Sequence, residues 1–244
     1  IALRNSGALP LANVALTTGA NTALIFMRSN TGPLTVGSSN FGVVGASMVL
    51  IADAGSIVAG TGNLNCYNYS QATAGTMSFT TNATLLCRNN FNLQTSASAI
   101  FTASNATVNI DGTFTLANGT FNAPATNMYV AGGWTHSGGT FNHNSGTVTF
   151  DGSGAAADVV TTGTFYNLTI NKNTGQTLTI ATGDTLKALG TLTLADGAAA
   201  TGTLAAEGDV VVGQWWDGGS ATLLFSGSAN QDFDLSNATT YHRG

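Results

Sequence analysis

An internal repeat with a period of about 20 residues is the feature of this chain that most constrains its fold. The segment ATVNIDGTFTLANGTFN (106–122) matches TNMYVAGGWTHSGGTFN (126–142), with glycine on glycine and aromatic on aromatic. Phe101, Phe121 and Phe141 continue the series at the same interval. A unit this short cannot bury its apolar face alone, so successive units are expected to stack along one axis. The sequence therefore predicts a rod of stacked coils.

The alternation of apolar and polar residues indicates short β-strands rather than helices. It occurs in TVNI (107–110), TVTF (147–150), NLTI (167–170) and TLTI (177–180). This pattern is typical of strands that bury one face. Asn-Gly and Asp-Gly pairs are also hairpin signals, so an antiparallel β-sandwich is the alternative. Because like residues recur at like positions, we expect an all-β, right-handed parallel β-solenoid (β-helix) with coils of about 20 residues.

The interval between equivalent residues is expected to drift along the chain. It rises where a coil carries an insertion, and the segment GSGAAADVV (152–160) is expected to be one. Further on we expect the interval to return to its earlier value. The lengthened intervals run from Phe91 to Phe114 and from Phe141 to Phe165. The regular intervals run from Leu192 to Val212 and from Leu204 to Leu224.

The chain shows no clear domain boundary. Residues 1–22 are less regular, so we expect an N-terminal arm or a first irregular coil there, followed by one β-solenoid rod over 23–244. The chain begins with Ile1 rather than Met, from which we expect a processed product or a fragment. The apolar N-terminal segment and the short C-terminal one indicate uncapped ends, which favour joining of rods end to end.

The charge content excludes several classes of partner. Only 7% of the residues are charged, six are Lys or Arg, and the net charge is −5. A nucleic-acid-binding surface needs a basic stripe, so no nucleic acid is expected. No run of apolar residues is long enough for a membrane span.

The two cysteines, Cys66 and Cys87, are separated by the length of one coil. Stacked coils would therefore place them on adjacent strands, within reach of a disulfide. Two interpretations stay open: a bridge formed in an oxidising compartment, or two buried free thiols.

The residues that could carry out chemistry do not form a recognisable catalytic site. Glycoside cleavage needs two carboxyl groups close together. A polysaccharide lyase also needs a basic residue to abstract a proton, and neither lysine lies one coil from an acidic pair. We therefore expect no enzyme and no catalytic residue, with a β-helical polysaccharide-cleaving enzyme as the least favoured reading. The groups considered are the carboxylates Asp111, Asp151, Glu207, Asp209 and Asp217 and the lysines Lys172 and Lys187.

Three further patterns fall short of a binding site. Gly152-x-Gly154-x-x-Ala157 resembles a dinucleotide fingerprint, but a poor helix former follows it, so no cofactor is expected. The histidines His136, His143 and His242 lack nearby ligands, so no metal is expected. Thr-x-Thr pairs suggest an ice-binding face, but they do not recur at one coil.

Outward aromatic rings are the remaining candidates for recognition. Tyr129 and Tyr166 are expected to point outward, and in Trp215-Trp216 one ring must face each way. Exposed rings can stack on sugars or pack against another subunit.

The segments FYNLTINKNTGQTLTI (165–180) and GGTFNHNSGTVTFDGSG (138–154) resemble repeats of bacterial surface and secreted proteins, the adhesin-like β-solenoids. The resemblance covers roughly residues 83–226 and implies an exported rod, extracellular or at the cell surface. Our first hypothesis is a structural subunit that self-associates into a filament or layer by end-to-end or lateral packing. The alternative is an adhesin passenger domain that binds glycans or surfaces.

Overall fold

The chain forms a parallel β-solenoid in this computed structural model. The structure describes residues 2–5, 9–10, 24–29, 34–35, 41–42, 47–52, 56–60, 63–71, 75–79, 84–94, 96–152, 157–159 and 162–237. Within these ranges the regular elements are all strands, and all strand pairs are parallel. The antiparallel sandwich is thereby excluded, and the predicted solenoid is confirmed.

Each coil contributes strands to three faces of the rod. A strand is assigned to a face by the strands of the neighbouring coils with which it pairs. The first face contains β1 (Ala2–Asn5), β3 (Leu24–Ser29), β6 (Ser47–Ala52), β9 (Tyr69–Gln71), β12 (Phe91–Leu93), β15 (Phe114–Leu116), β18 (Trp134–His136), β21 (Ala157–Val159), β24 (Thr177–Ile180) and the second halves of β26 (Leu192–Ala200) and β28 (Val210–Gly218).

The other two faces are built in the same way. The second face contains β5 (Phe41–Gly42), β8 (Leu64–Cys66), β11 (Thr84–Cys87), β14 (Thr107–Ile110), β17 (Asn127–Val130), β20 (Thr147–Phe150), β23 (Asn167–Asn171), the first halves of β26 and β28, and β30 (Phe233–Asp234). The third face contains β2 (Leu9–Pro10), β4 (Leu34–Thr35), β7 (Ser56–Gly60), β10 (Gly75–Phe79), β13 (Ala99–Thr102), β16 (Thr120–Asn122), β19 (Thr140–Asn142), β22 (Gly163–Phe165), β25 (Thr185–Ala188), β27 (Thr203–Ala206) and β29 (Thr222–Phe225).

Strands also occur within the N-terminal segment 1–22. Ala2 of β1 pairs with Phe26 of β3, and Leu9 of β2 pairs with Leu34 of β4, both in parallel. This segment was predicted as an arm or a first irregular coil, and its strands belong to the same ladders as the rod.

Aromatic columns fill the interior. Phe101 pairs with Phe121 and Phe121 with Phe141, as the sequence repeat predicts. Their ring centroids are 5.1 and 6.0 Å apart, with planes within 8° of parallel. A second column rises on the first face and meets the first one edge to face, an arrangement that adds about 0.5–1.5 kcal/mol per ring pair to the burial of apolar area. It consists of Tyr69, Phe91, Phe114 and Trp134.

Glycines in the repeat allow the coils to approach closely at two corners. A Cβ atom on Gly132 would lie 2.5 Å from the carbonyl oxygen of Gly112, so only glycine fits there. Gly119 and Gly139 both have a φ of +74°, a left-handed conformation that side chains disfavour. The glycines of the repeat therefore define the corners, and the residues between them form the strands.

The ladder of the third face is interrupted next to the predicted insertion. Val159 pairs with Trp134, so this coil is longer than the regular repeat, and its extra residues lie between β20 and β21 as predicted. Among the described strands, β19 pairs only with β16, and β22 only with β25. The core nevertheless continues, since the rings of Phe141 and Phe165 are 5.9 Å apart.

The predicted register is wrong in the last coils. Leu192 pairs with Val210 rather than with Val212, so this coil is shorter than the regular repeat. It uses fewer residues because β26 and β28 run on through the corner between two faces. Leu204 pairs with Leu223 rather than Leu224. A slip of one position exchanges the faces, so Leu223 packs on the core while Leu224 is exposed.

The cysteines lie in register as predicted, with Cys66 opposite Cys87 on β8 and β11. Both are buried free thiols. Contact with Cys87, together with burial, raises the pKa of the Cys66 thiol above its usual 9.0. The same contact lowers the pKa of the Cys87 thiol. The protonated, buried Cys66 thiol acts as a small apolar side chain.

We predict that truncating a core phenylalanine lowers the free energy of unfolding by an amount that depends on its position along the rod. Phe121→Ala leaves a cavity between two stacked rings and should lower the free energy of unfolding by about 3–5 kcal/mol. Phe233→Ala, in the half-exposed last coil, should cost about 1 kcal/mol. Urea unfolding followed by circular dichroism measures both, and equal losses would contradict the stacked arrangement.

Candidate functional site

At its C-terminal end, the described part of the rod presents strand edges without a further partner. β29 pairs with β27 and β30 pairs with β28. On their other sides, neither strand has a partner among the described residues. Such edges present unpaired N–H and C=O groups that can pair with another strand.

Side chains of the core columns are exposed at this same end. Phe225 lies in register with the buried Ala206, and Phe233 with the buried Val210, so both belong to inward-facing columns. They are nevertheless 45% and 48% exposed, because no described coil covers them. Their rings contact each other edge to face at 5.7 Å. With Leu235, which is 51% exposed, they form what we call the terminal apolar cluster.

The N-terminal end also has strands with one side unpaired among the described residues. β1 pairs with β3, and β2 pairs with β4. Among these strands, β2 lies on the third face and runs in the same direction as β29, whereas β1 lies on the first face and β30 on the second. On the third face, both ends therefore present a free edge among the described strands.

The paired tryptophans point in opposite directions, as predicted. Trp215 is 60% exposed, whereas Trp216 packs against the core. Trp215 borders a groove of about 370 Å³ on the side of the rod. Tyr166 is 39% exposed, and Tyr129 is half-buried on β17. Trp215 is thus the most exposed of these rings, and it lines a cavity.

The acidic residues of the densest group have separate structural contacts. Glu207 accepts a hydrogen bond from the ammonium of Lys187 at 2.8 Å. An Oδ atom of Asp209 accepts from the backbone N–H of Asp232, and one of Asp217 from that of Gly175. Since Asp209 precedes β28 and Asp217 lies near its far end, the fold does not bring the three carboxylates together.

A buried lysine connects three coils and was missed by the sequence reasoning. The Nζ atom of Lys172, which has no exposed surface, donates to the carbonyl oxygen of Ala131 at 2.9 Å and to that of Asp151. Asp151 lies one coil before Lys172, and Glu207 lies one coil after Lys187. Each lysine therefore does lie one coil from a single carboxylate, a signal that a search for acidic pairs overlooks.

Burial dominates the electrostatics of this cluster. It lowers the pKa of Lys172 from its usual 10.5, and the nearby Asp151 offsets part of that effect. It raises the pKa of Asp151 from its usual 3.8, and Lys172 opposes the change. The buried Oδ1 atom of Asp151 has no hydrogen-bond partner. Asp111, another of the carboxylates considered from the sequence, forms an exposed ion pair with Arg88, in which Oδ2 lies 2.8 Å from the guanidinium Nη1.

The two described histidines, His136 and His143, belong to no group that could hold a metal ion. His143 accepts a hydrogen bond from the backbone N–H of Ser145 and lies beside Tyr166, while His136 lies on β18. His242 falls outside the described residues. Within the described ranges no group of three His, Cys, Asp or Glu side chains could hold a metal ion.

The structure also shows where the dinucleotide-like and Thr-x-Thr patterns lie. Ala157, at the end of the dinucleotide-like pattern, begins strand β21 rather than a helix, and Gly154 lies outside the described residues. The column of Thr147 and Thr149 is broken by Asn127 and Tyr129 one coil below, as predicted, and Thr149 is buried rather than exposed. Where the chain is described, it contains no helix long and apolar enough to cross a membrane.

Comparisons with known protein families, with curated proteins and with solved structures find no match to this chain. Function must therefore be argued from the chain's own residues.

We predict that Lys172→Met destabilises the rod more than the matched change Lys187→Met. The first leaves two backbone carbonyls without their donor and the half-buried Asp151 carboxylate without its neighbouring cation, so it should cost about 2–3 kcal/mol. The second removes a half-exposed ion pair and should cost less than about 1 kcal/mol. Adding Asp151→Asn to Lys172→Met should recover part of the loss. Urea unfolding of these variants and the wild type checks the order, and equal costs for the two lysines would refute it.

The pH dependence of stability should carry a signature of Asp151. Because folding raises its pKa above 3.8, the folded chain holds this proton more tightly than the unfolded chain. The stabilisation from Asp151 is therefore lost as the pH rises from the usual 3.8 through the raised pKa. Asp151→Asn does not titrate, so its stability relative to wild type should increase over that range. Unfolding free energies measured at several pH values test this, and a constant difference would contradict it.

Proposed function

We propose that this protein is an extracellular structural subunit, a β-solenoid rod that joins other copies end to end into a filament. The observation that carries the proposal is the terminal apolar cluster, in which inward-facing side chains of the core columns are half exposed. One coil earlier, the residues beneath them in the same columns, Ala206 and Val210, are fully buried because the last described coil covers them. A second copy stacked on this end would cover the cluster in the same way.

The backbone favours the same contact. The edges of β29 and β30 offer hydrogen-bonding groups to an added strand. In a second copy, β2 offers an edge on the same third face as β29, running in the same direction. Two different ends of the same molecule form a heterologous contact, and repetition of such a contact generates an open filament.

Charge opposes this assembly only weakly. With 7% charged residues and a net charge of −5, like rods repel each other less than ordinary acidic proteins do. A surface of Thr, Ser and Asn with few charges also suits an exported rod. It is consistent with the resemblance to secreted and surface β-solenoids, which supports the extracellular part of the proposal.

Adhesion to glycans is the second candidate function. The observation that favours it is Trp215, which is 60% exposed beside a groove rather than alone on a flat surface. A rod that presents such a ring could serve as an adhesin passenger domain without forming filaments.

Electron microscopy and light scattering at rising protein concentration test the assembly. We expect the wild type to form rods that lengthen with concentration. Phe225→Asp/Phe233→Asp places two charges in the terminal apolar cluster and should leave single rods, because burying unpaired carboxylates is costly. Tyr67→Asp/Tyr166→Asp adds the same charge at aromatic residues exposed elsewhere on the rod and should still assemble.

Circular dichroism must show that both double variants keep the wild-type fold. A wild type that stays monomeric at high concentration would overturn the proposal. Equal assembly of the two double variants would overturn the role of the terminal cluster.

A further inference from the structure

The groove beside Trp215 lies on the outer surface of the second face, in the last coils of the rod. Its sides are formed by Asn171 at the end of β23, Thr193 on β26, Gln214 and Trp215 on β28, and Asn237. Its volume of about 370 Å³ falls within the roughly 300–1,000 Å³ of small-ligand sites.

The local strand geometry explains why a groove forms here. In earlier coils a glycine turn separates the second face from the first, but β26 and β28 continue through this corner. Two small residues, Ala195 and Gly213, line the groove. A Cβ atom on Gly213 would lie 2.5 Å from the carbonyl oxygen of Ala195, so the backbones pack too closely for a larger residue. Trp215 lies beside this floor of small residues, and its ring is exposed to solvent.

The lining side chains carry no charge. Asn and Gln side chains both donate and accept hydrogen bonds, and the Thr hydroxyl does the same. The indole adds an apolar face and one N–H donor. This set matches a ligand whose hydroxyl groups also both donate and accept, and whose C–H groups form an apolar face.

Charged ligands fit the site less well. Asp196, the strand partner of Trp215, and Asp217 are the nearest charged residues along β26 and β28, and both would repel an anion. Their carboxylates already accept hydrogen bonds. Asp196 accepts from Thr174 and from the backbone N–H of Gly197, and Asp217 accepts from that of Gly175. A cation would therefore compete with these bonds. A neutral ligand requires no counter-charge.

We infer that this groove binds a neutral oligosaccharide, with one sugar ring stacked on Trp215 and its hydroxyl groups held by the amides of Asn171 and Asn237. This site is on the side of the rod and does not depend on end-to-end assembly. It gives the adhesin alternative a specific location and a ligand class.

The test begins with a panel of immobilised neutral oligosaccharides, namely cellohexaose, xylohexaose, mannohexaose, maltohexaose and hexa-N-acetylchitohexaose. Hyaluronan and sialyllactose serve as acidic counterparts. Binding is measured for the wild type, Trp215→Ala, Trp215→Tyr and the matched control Tyr166→Ala, which removes an exposed ring elsewhere on the rod. For any sugar bound, tryptophan fluorescence is titrated with the soluble form, since Trp215 is the indole that the ligand would cover.

We expect the wild type to bind at least one neutral oligosaccharide and neither acidic one. Trp215→Ala should weaken binding about tenfold or more, which corresponds to about 1.4 kcal/mol. Trp215→Tyr should retain most of the affinity, and Tyr166→Ala should be unchanged. The bound sugar should shift the tryptophan emission to shorter wavelength and protect it from acrylamide.

Three results would overturn the inference. One is the absence of binding to every neutral sugar of the panel. Another is equal affinity of Trp215→Ala and wild type. The third is protection of Trp215 from acrylamide that rises with protein concentration alone, which would show that a second copy covers the ring. Filament formation by Trp215→Ala, measured separately, distinguishes failure of this site from failure of the end-to-end assembly.

Discussion

In-register pairing of parallel strands is the constraint on which this whole structure depends. Each coil satisfies its backbone hydrogen bonds with the coils above and below, so every strand requires a neighbour on both sides. The same register places like side chains over one another, as in Phe101, Phe121 and Phe141. A coil is therefore stable only as part of a stack, and any end of the stack is a place of unsatisfied pairing.

The proposed functions follow from where that stacking stops or changes. At the C-terminal end, Phe225 and Phe233 occupy core columns but have no described coil above them. Near the same end, β26 and β28 cross a corner that glycine turns form elsewhere, and a groove opens beside Trp215. The regular middle of the rod provides stability, while its irregular parts present the surfaces that a partner or ligand can contact.

Sequence reasoning succeeded where the repeat was exact and failed where it was not. Between Ala106 and Phe150 the pairing follows the repeat interval position by position, because glycines recur at two of the corners of each coil. The last coils shorten as strands extend through the corner, which no local pattern signals. The role of Lys172 was also missed, since its partners are backbone carbonyls of two earlier coils, and carbonyls leave no mark in the sequence.

The amino-acid sequence alone was enough to predict a parallel stack, the inward columns and the opposite orientation of Trp215 and Trp216, with an antiparallel sandwich left open as the alternative. These follow from local periodicity, since alternation sets the face of each side chain and the repeat sets its height. Three-dimensional packing was needed to show the interrupted third face, the lysine joining three coils, the groove and the exposed terminal cluster. These features arise from contacts between coils of different lengths. Such contacts join residues that are far apart in the sequence, so they form only once the chain has folded.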